Sequence, residues 1–403
     1  MLDGLKTEAA KLFDAFFDSG GRHLTPVAVL TIDGQPFGTQ TMSRIISVQL
    51  TDKRGFEADE LTISLNDYDG ALAIPDVGSK ITLALGYAET GVIDKGEYVF
   101  SEFTAQGSPD TLSITAWAAD LAETLAEQQE KSWHKQTLYQ IVEAIAKRHG
   151  YQAVIAQKYQ NDKIDHIDQT NESDASFLTR LAEQYDAIAT VKAGRLLFIP
   201  AGEAKTASGK PIPPLEIVRQ SGDNHRFTYS ATNAYQAVRA YYTDKKTGQK
   251  KEVVVSKENL YPEKTTETKT TKYKRPRKDK ATGKTVTGKT TTRKVEVKRK
   301  INTDGLKIKT LRHLYATETG ALSGARAAMK RLLRGAAQFD ITLAVGRADI
   351  SPETPVTVQG FKPEIDRERW IIQEVTHTID SGGYTCDLKL EALIAEPGED
   401  EAV

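Results

Sequence analysis

Apolar residues recur at helical spacing through residues 2–18, where Leu2, Leu5, Ala9, Leu12, Phe13, Phe16 and Phe17 share one stripe and Gly20 and Gly21 end it. The pattern predicts an amphipathic N-terminal helix over 1–21, with Phe13, Phe16 and Phe17 as a candidate subunit contact. After Pro26 the period changes to two. Short β-type runs fall at 27–32, 44–50, 61–65, 80–85, 98–103 and 111–116, separated by turn signals such as Asp33-Gly34, Asp69-Gly70 and Gly107-Ser108-Pro109. Six strands at that spacing predict a first small β-barrel over 22–117.

The character then turns helical. Residues 117–128 are rich in Ala, Leu and Glu, and 137–148 place Leu138, Ile141, Val142, Ile145 and Ala146 on one face before Gly150. A third helix, carrying Phe177, Leu178, Leu181, Ala182 and Tyr185, opens after Asn171, Ser173 and Asp174, whose short polar side chains suit an N-cap. With a hairpin over 188–199, these segments predict a helical α+β domain over 118–210. Strand patterns return at 215–219, 226–229, 235–242, 339–343, 355–359, 370–379 and 385–392, with a helix at 319–333. They predict a second β-barrel built from 211–245 and 301–396, interrupted by a basic Thr/Lys-rich insertion over 246–300 and followed by an acidic tail over 397–403. The predicted class is α+β, mainly β: two small barrels flanking a helical domain.

Composition narrows the function. No apolar run approaches the roughly 18 residues of a membrane helix. Asp3, Lys6, Glu8 and Lys11 interrupt any apolar signal core, so neither membrane insertion nor a secretory signal is expected. The single cysteine, Cys386, excludes an internal disulfide and a Cys-built zinc site, which suits synthesis in a reducing cytoplasm. The net charge of −1 hides a segregation. Residues 264–300 hold fifteen Lys/Arg against Glu267, Asp279 and Glu296, a local +12, so the rest of the chain carries −13. Lys272, Lys274, Arg275, Arg277, Lys278, Lys294, Lys298 and Arg299 are candidate residues of an electrostatic docking arm. The alternation around Val286 and Val295 favours an extended ribbon, with Gly283 and Gly288 as turn positions.

No motif supports catalysis, a cofactor or a metal. Residues 283–290 satisfy the phosphate-loop pattern, with Lys289 and Thr290 at its end, but no hydrophobic strand delivers the loop and no helix follows it. The seven histidines show no metal-ligand spacing along the chain and read as turn or interface residues. Asn66 to Gly70 reads as a strand-ending turn, and Cys386 as a core filler. The helix over 136–150 is similar to the first helix of a LysM module, which raises a peptidoglycan-binding tail component as the alternative function.

Several blocks resemble the late control protein D family of P2-type phage tails. They are 52–59 with 61–67, then Ser132-Trp133-His134, His166-Ile167-Asp168-Gln169, 172–183, 207–210, 346–350, 353–356 and Val375-Thr376-His377. The resemblance implies a non-enzymatic baseplate hub of a contractile phage tail or tail-like bacteriocin, of the same fold family as the N-terminal part of VgrG spike proteins. It implies a homotrimer whose six barrels join a sixfold tail tube to a threefold spike. Its implied partners are the tail spike, the tube or a tube-terminating protein, the tape-measure protein and neighbouring baseplate proteins. No specific nucleic acid is expected, and the particle is assembled from protein made in the host bacterial cytoplasm.

Overall fold

The computed structural model describes residues 24–56, 58–119, 123–192, 194–206, 208–230, 235–244, 247–261, 264–278, 285–296 and 301–394, and over 264–278 and 285–296 it describes the backbone. The helix expected over 1–21, with Phe13, Phe16 and Phe17, lies outside these residues, as do Lys298, Arg299 and the tail 397–403. The chain is mainly β. A larger unit runs to Ala234 and resumes over Arg331–Ile394, and a smaller one covers Tyr235–Lys330.

Among its described residues the larger unit first forms β1 (Pro26–Ile32), β2 (Gln35–Pro36), α1 (Thr39–Ser43), β3 (Ile45–Lys53), β4 (Glu60–Asn66), β5 (Lys80–Tyr87), β6 (Gly91–Gln106) and β7 (Thr111–Ala118). Alternation sends one face of each strand inward. Leu61, Ile63 and Leu65 of β4 stand opposite Ala116, Ile114 and Leu112 of β7, all buried, and each such Leu or Ile contributes about 1.5–3 kcal/mol.

Next come β8 (Gln128–Thr137), α2 (Leu138–Arg148), β9 (Gln152–Ile155), β10 (Lys163–Ser173), α3 (Asp174–Tyr185), β11 (Ala187–Lys192) and β12 (Arg195–Pro200). β8 and β10 form an antiparallel two-stranded ribbon, and β11-β12-β9 form a second small sheet. Thr137 and Gln140 close a reciprocal capping box at the start of α2. At its other end, Arg148 and His149 both reach the fully buried Asp174 in the first turn of α3, at 2.8 and 2.7 Å. Leu138, Ile141, Val142 and Ile145 of α2 pack with Phe177, Leu178 and Leu181 of α3 in a core separate from that of the large sheet.

The remaining elements are β13 (Leu215–Val218), β14 (Gly222–Tyr229), β15 (Ala237–Thr243), β16 (Lys250–Ser256), β17 (Lys264–Lys278), β18 (Thr285–Glu296), β19 (Ile308–Tyr315), α4 (Glu318–Arg334), β20 (Ala337–Leu343), β21 (Pro355–Gln359), α5 (Pro363–Asp366), β22 (Trp370–Asp380) and β23 (Gly383–Ala392). β22 pairs antiparallel with β3 from Glu374 opposite Lys53 to Asp380 opposite Ser47. The strands expected in two separate barrels therefore share one 13-stranded sheet, in the order β14-β20-β23-β22-β3-β4-β7-β6-β5-β1-β2, with β21 branching from β22 to β13. Gly346 sits where a side chain has no room: a Cβ there would stand 2.4 Å from the Tyr384 ring.

Two expectations differ from the fold. The helix expected over 117–128 is instead the end of β7, where Trp117 pairs with Glu60 and Val99, then one 3-10 turn at Glu123–Ala126 and the start of β8. Sheet pairing overrides the Ala/Leu/Glu helix propensity. Residues 235–243 and 308–330, expected in the second barrel, belong to the smaller unit, where β15 pairs with β16 and β19. Ala237, Val238, Ala240 and Val255 are fully buried there.

Candidate assembly site

Two charged clusters tie the segment around α2 and α3 to the large sheet. Arg54, just past β3, places its Nε 2.6 Å from Glu353 and its Nη1 against Glu391 of β23. Arg334, in the last turn of α4, forks onto Asp186 at 2.6 and 2.9 Å, and its Nε lies 3.3 Å from Glu391. The Gly202 amide donates to Glu353 at 2.8 Å. Asp186 ends α3 in the left-handed conformation, which Asp tolerates, and this turns its carboxylate inward.

Arg334, Asp186, Glu353 and Glu391 are 4%, 7%, 7% and 9% exposed, so solvent hardly screens the network. Burial pushes the Glu353 carboxyl above its ordinary range, against the pull of Arg54 and the Gly202 N–H. For Arg334 burial works the other way, and the bond to Asp186 outweighs it, raising the guanidinium above its ordinary value.

The second cluster joins β11 to β3. Lys192 donates to Asp52 at 3.0 Å and also to Asp59, whose other oxygen accepts the Lys53 N–H at 2.9 Å. Burial alone would depress the Lys192 ammonium, but the two carboxylates outweigh it and hold its pKa up. Burial raises Asp59, the neighbouring Asp52 adds to the rise, and Lys192 opposes both. Between the clusters lies a cavity of about 430 Å³ lined in part by Asp52, Arg54, Asp59, Lys192, Lys205 and Glu353. Every charged partner in the two clusters is engaged by an opposite charge. The arrangement links the two segments through paired, largely buried charges.

The residues singled out in the sequence are distributed differently. Lys272, Lys274, Arg275, Arg277 and Lys278 lie on β17 and Lys294 on β18, two antiparallel strands that pair with each other from Lys264 opposite Glu296 to Lys278 opposite Thr285. Gly288, expected at a turn, stands inside β18 opposite Lys272, because the ribbon pairing runs through it. The phosphate-loop match from Thr285 to Thr290 is likewise strand, with no helix after it among the described residues.

His377, read as a turn or interface residue, is fully buried inside β22. Its Nδ1 meets the Tyr384 hydroxyl at 2.9 Å and the Cys386 sulfur at 3.1 Å. The clamp residues Arg334, Asp186 and Glu391 carried no local signal. Asp52, Arg54, Asp59 and Glu353 did fall within the blocks that carry the family resemblance.

The chain matches the phage tail baseplate hub (GPD) family over residues 60–383. It is 39% identical over 376 residues to a probable baseplate hub protein of Escherichia phage 186, a match covering 93% of this chain and 95% of that one. It is 38% identical over 385 residues to a probable baseplate hub protein of Escherichia phage P2, covering 96% and 98%. The fold is similar to that of the tail protein from Neisseria meningitidis MC58, with a TM-score of 0.59, 11% identity and coverage of 91% and 96%. It is also similar to the E. coli c3393 protein, with a TM-score of 0.50, 14% identity and coverage of 91% and 77%. That protein is a type VI secretion component described as structurally similar to the T4 bacteriophage tail proteins gp27 and gp5. With the matches spanning most of its length, the chain belongs to the phage tail baseplate hub family, whose members are structural tail proteins and not enzymes.

Proposed function

We propose that the chain is a homotrimeric adaptor in the baseplate of a contractile tail, joining the sixfold tail tube to the threefold spike. The observation that carries this reading is the β3–β22 pairing, which sets two β segments of one chain side by side in a continuous sheet. Three chains then offer six β segments to the tube while keeping threefold symmetry toward the spike. The two charged clusters keep the α2–α3 segment from shifting against the sheet under axial load.

The spike, the tube or a tube-terminating protein, and the tape-measure protein are the axial partners. The basic ribbon docks on an acidic surface of a neighbouring baseplate protein. An acidic remainder of −13 repels the phosphates of any DNA passing along the axis. The protein is made in the host bacterial cytoplasm and assembled into a virion tail or a headless bacteriocin. Light scattering of the full chain, alone and with its spike protein, tests the reading. Three times the chain mass is expected, and a monomer under both conditions overturns it. Retention on purified peptidoglycan that depends on residues 136–150 would instead favour the glycan-binding alternative.

A further inference from the structure

β8 and β10 bring together two histidines that are 32 positions apart in the sequence. In their register His134 stands directly opposite His166, Ser132 opposite Asp168, and Trp133 opposite Ile167. Alternation places Trp133 and Ile167 on the inner face, with Trp133 buried, and leaves Ser132, His134, His166 and Asp168 on the exposed face. The two imidazoles are stacked, with centroids 4.5 Å apart and planes 21° from parallel. Their Nδ1 atoms are 3.0 Å apart.

On its far side, the His166 Nε2 lies 3.0 Å from Asp168 Oδ2, and Asp168 Oδ1 accepts the Ser132 hydroxyl at 2.6 Å. An ionised Asp168 can only accept, so a neutral His166 paired with it holds its proton on Nε2 and keeps its lone pair on Nδ1, the nitrogen nearest His134.

From this geometry we infer that His134 and His166 form a two-donor site for a divalent transition-metal ion of imidazole preference, Zn2+ among them, with Asp168 as the residue that orients His166. Zinc–nitrogen bonds of about 2.0–2.1 Å at a tetrahedral angle set two ligand nitrogens about 3.3 Å apart, so the pair must open by about 0.3 Å and the two stacked rings must turn about their side-chain torsions until both in-plane lone pairs converge on the ion. Both rings are on the exposed face and can make that adjustment. In the bound form His134 holds its proton on Nε2, and both Nδ1 lone pairs face the ion.

A carboxylate on the remote nitrogen of a metal-binding histidine fixes the tautomer and raises ligand basicity, which is the role Ser132 and Asp168 supply here. Among the described residues no three His, Cys, Asp or Glu side chains converge on one point. As far as the described residues go, the ion therefore keeps open positions for water or for a donor from another tail protein, and it cross-links two strands that pair there only with each other.

Calorimetric titration of the untagged full chain with Zn2+ tests the site. One ion per chain is expected, with Ni2+ competing and excess Mg2+ not, since Mg2+ prefers oxygen ligands. His134→Ala and His166→Ala should each abolish the binding, Asp168→Asn should weaken it about 10- to 100-fold, and His225→Ala should leave it unchanged. All three site residues are exposed, so metal-free melting temperatures should match the parent chain and separate lost binding from lost fold. A parent chain that binds no Zn2+, or a His134→Ala/His166→Ala double variant that binds it with parental affinity, overturns the inference.

Discussion

Arg334 enters the interior with its guanidinium between Asp186 and Glu391, and Arg54 does the same between Glu353 and Glu391. Truncating one member of such a buried network strands the opposite charges, a larger effect than the net worth of the intact pairs. Arg334→Ala is therefore expected to cost about 3–5 kcal/mol, a large share of a typical stability of about 5–15 kcal/mol. Urea unfolding midpoints at constant slope measure it, and an unchanged midpoint would show that the clamp is dispensable. Cys386 shows burial acting on a neutral group: its thiol is pushed from 9.0 up to about 12. Between those values the unfolded thiol ionises while the native one keeps its proton, so the native state binds more protons and stability falls as pH rises. The contribution reaches at most about 1.4 kcal/mol per pH unit. Cys386→Ala should remove that part of the alkaline slope in urea midpoints taken at pH 9 and 10, and at neutral pH the folded parent should resist iodoacetamide.

At the scale of elements, α2 and α3 were legible because local chemistry and packing agree. Thr137 and Gln140 cap the one, Ser173 caps the other, and the 3.6-residue stripe matches the buried face. Thr137→Ala should cost about 1 kcal/mol, read as a shift in the melting midpoint, and Thr137→Ser should restore most of it. The strands of the first β segment were legible for the same reason. β8 and β10 were not: each carries few large apolar residues, and their pairing joins segments separated by α2 and β9. That distance also hid the His134–His166 rung, and the 337-residue separation of Arg54 and Glu391 hid the clamp. Propensity misled at 117–128, where neighbouring strands claim Trp117. The phosphate-loop match illustrates the converse. Lys289 stands opposite Thr271 in a strand pair, so no ATP binding is expected, and Lys289→Ala should leave particle assembly unchanged. Saturable ATP binding lost in that variant would show otherwise.

Across the whole molecule, the charge is split between a ribbon at +12 and a remainder at −13. Among the described residues β17 and β18 pair only with each other. Fifteen like charges held on two strands and their flanks repel one another unless counterions or an acidic partner neutralise them. At physiological salt, with screening over about 8 Å, only a partner in direct contact gains from that charge. Deleting residues 264–300 should therefore leave the melting temperature and the number of chains per oligomer unchanged, while weakening incorporation into baseplates. The parent chain's incorporation should fall as salt rises, and the deleted chain's should not. Sedimentation of assembled tails at two salt concentrations, with electron microscopy of the baseplates, reads both effects. If the deleted chain builds tails as well as the parent at low salt, the ribbon is a passive surface insertion and the docking role is lost. If it fails to fold, the ribbon is part of the smaller unit's core.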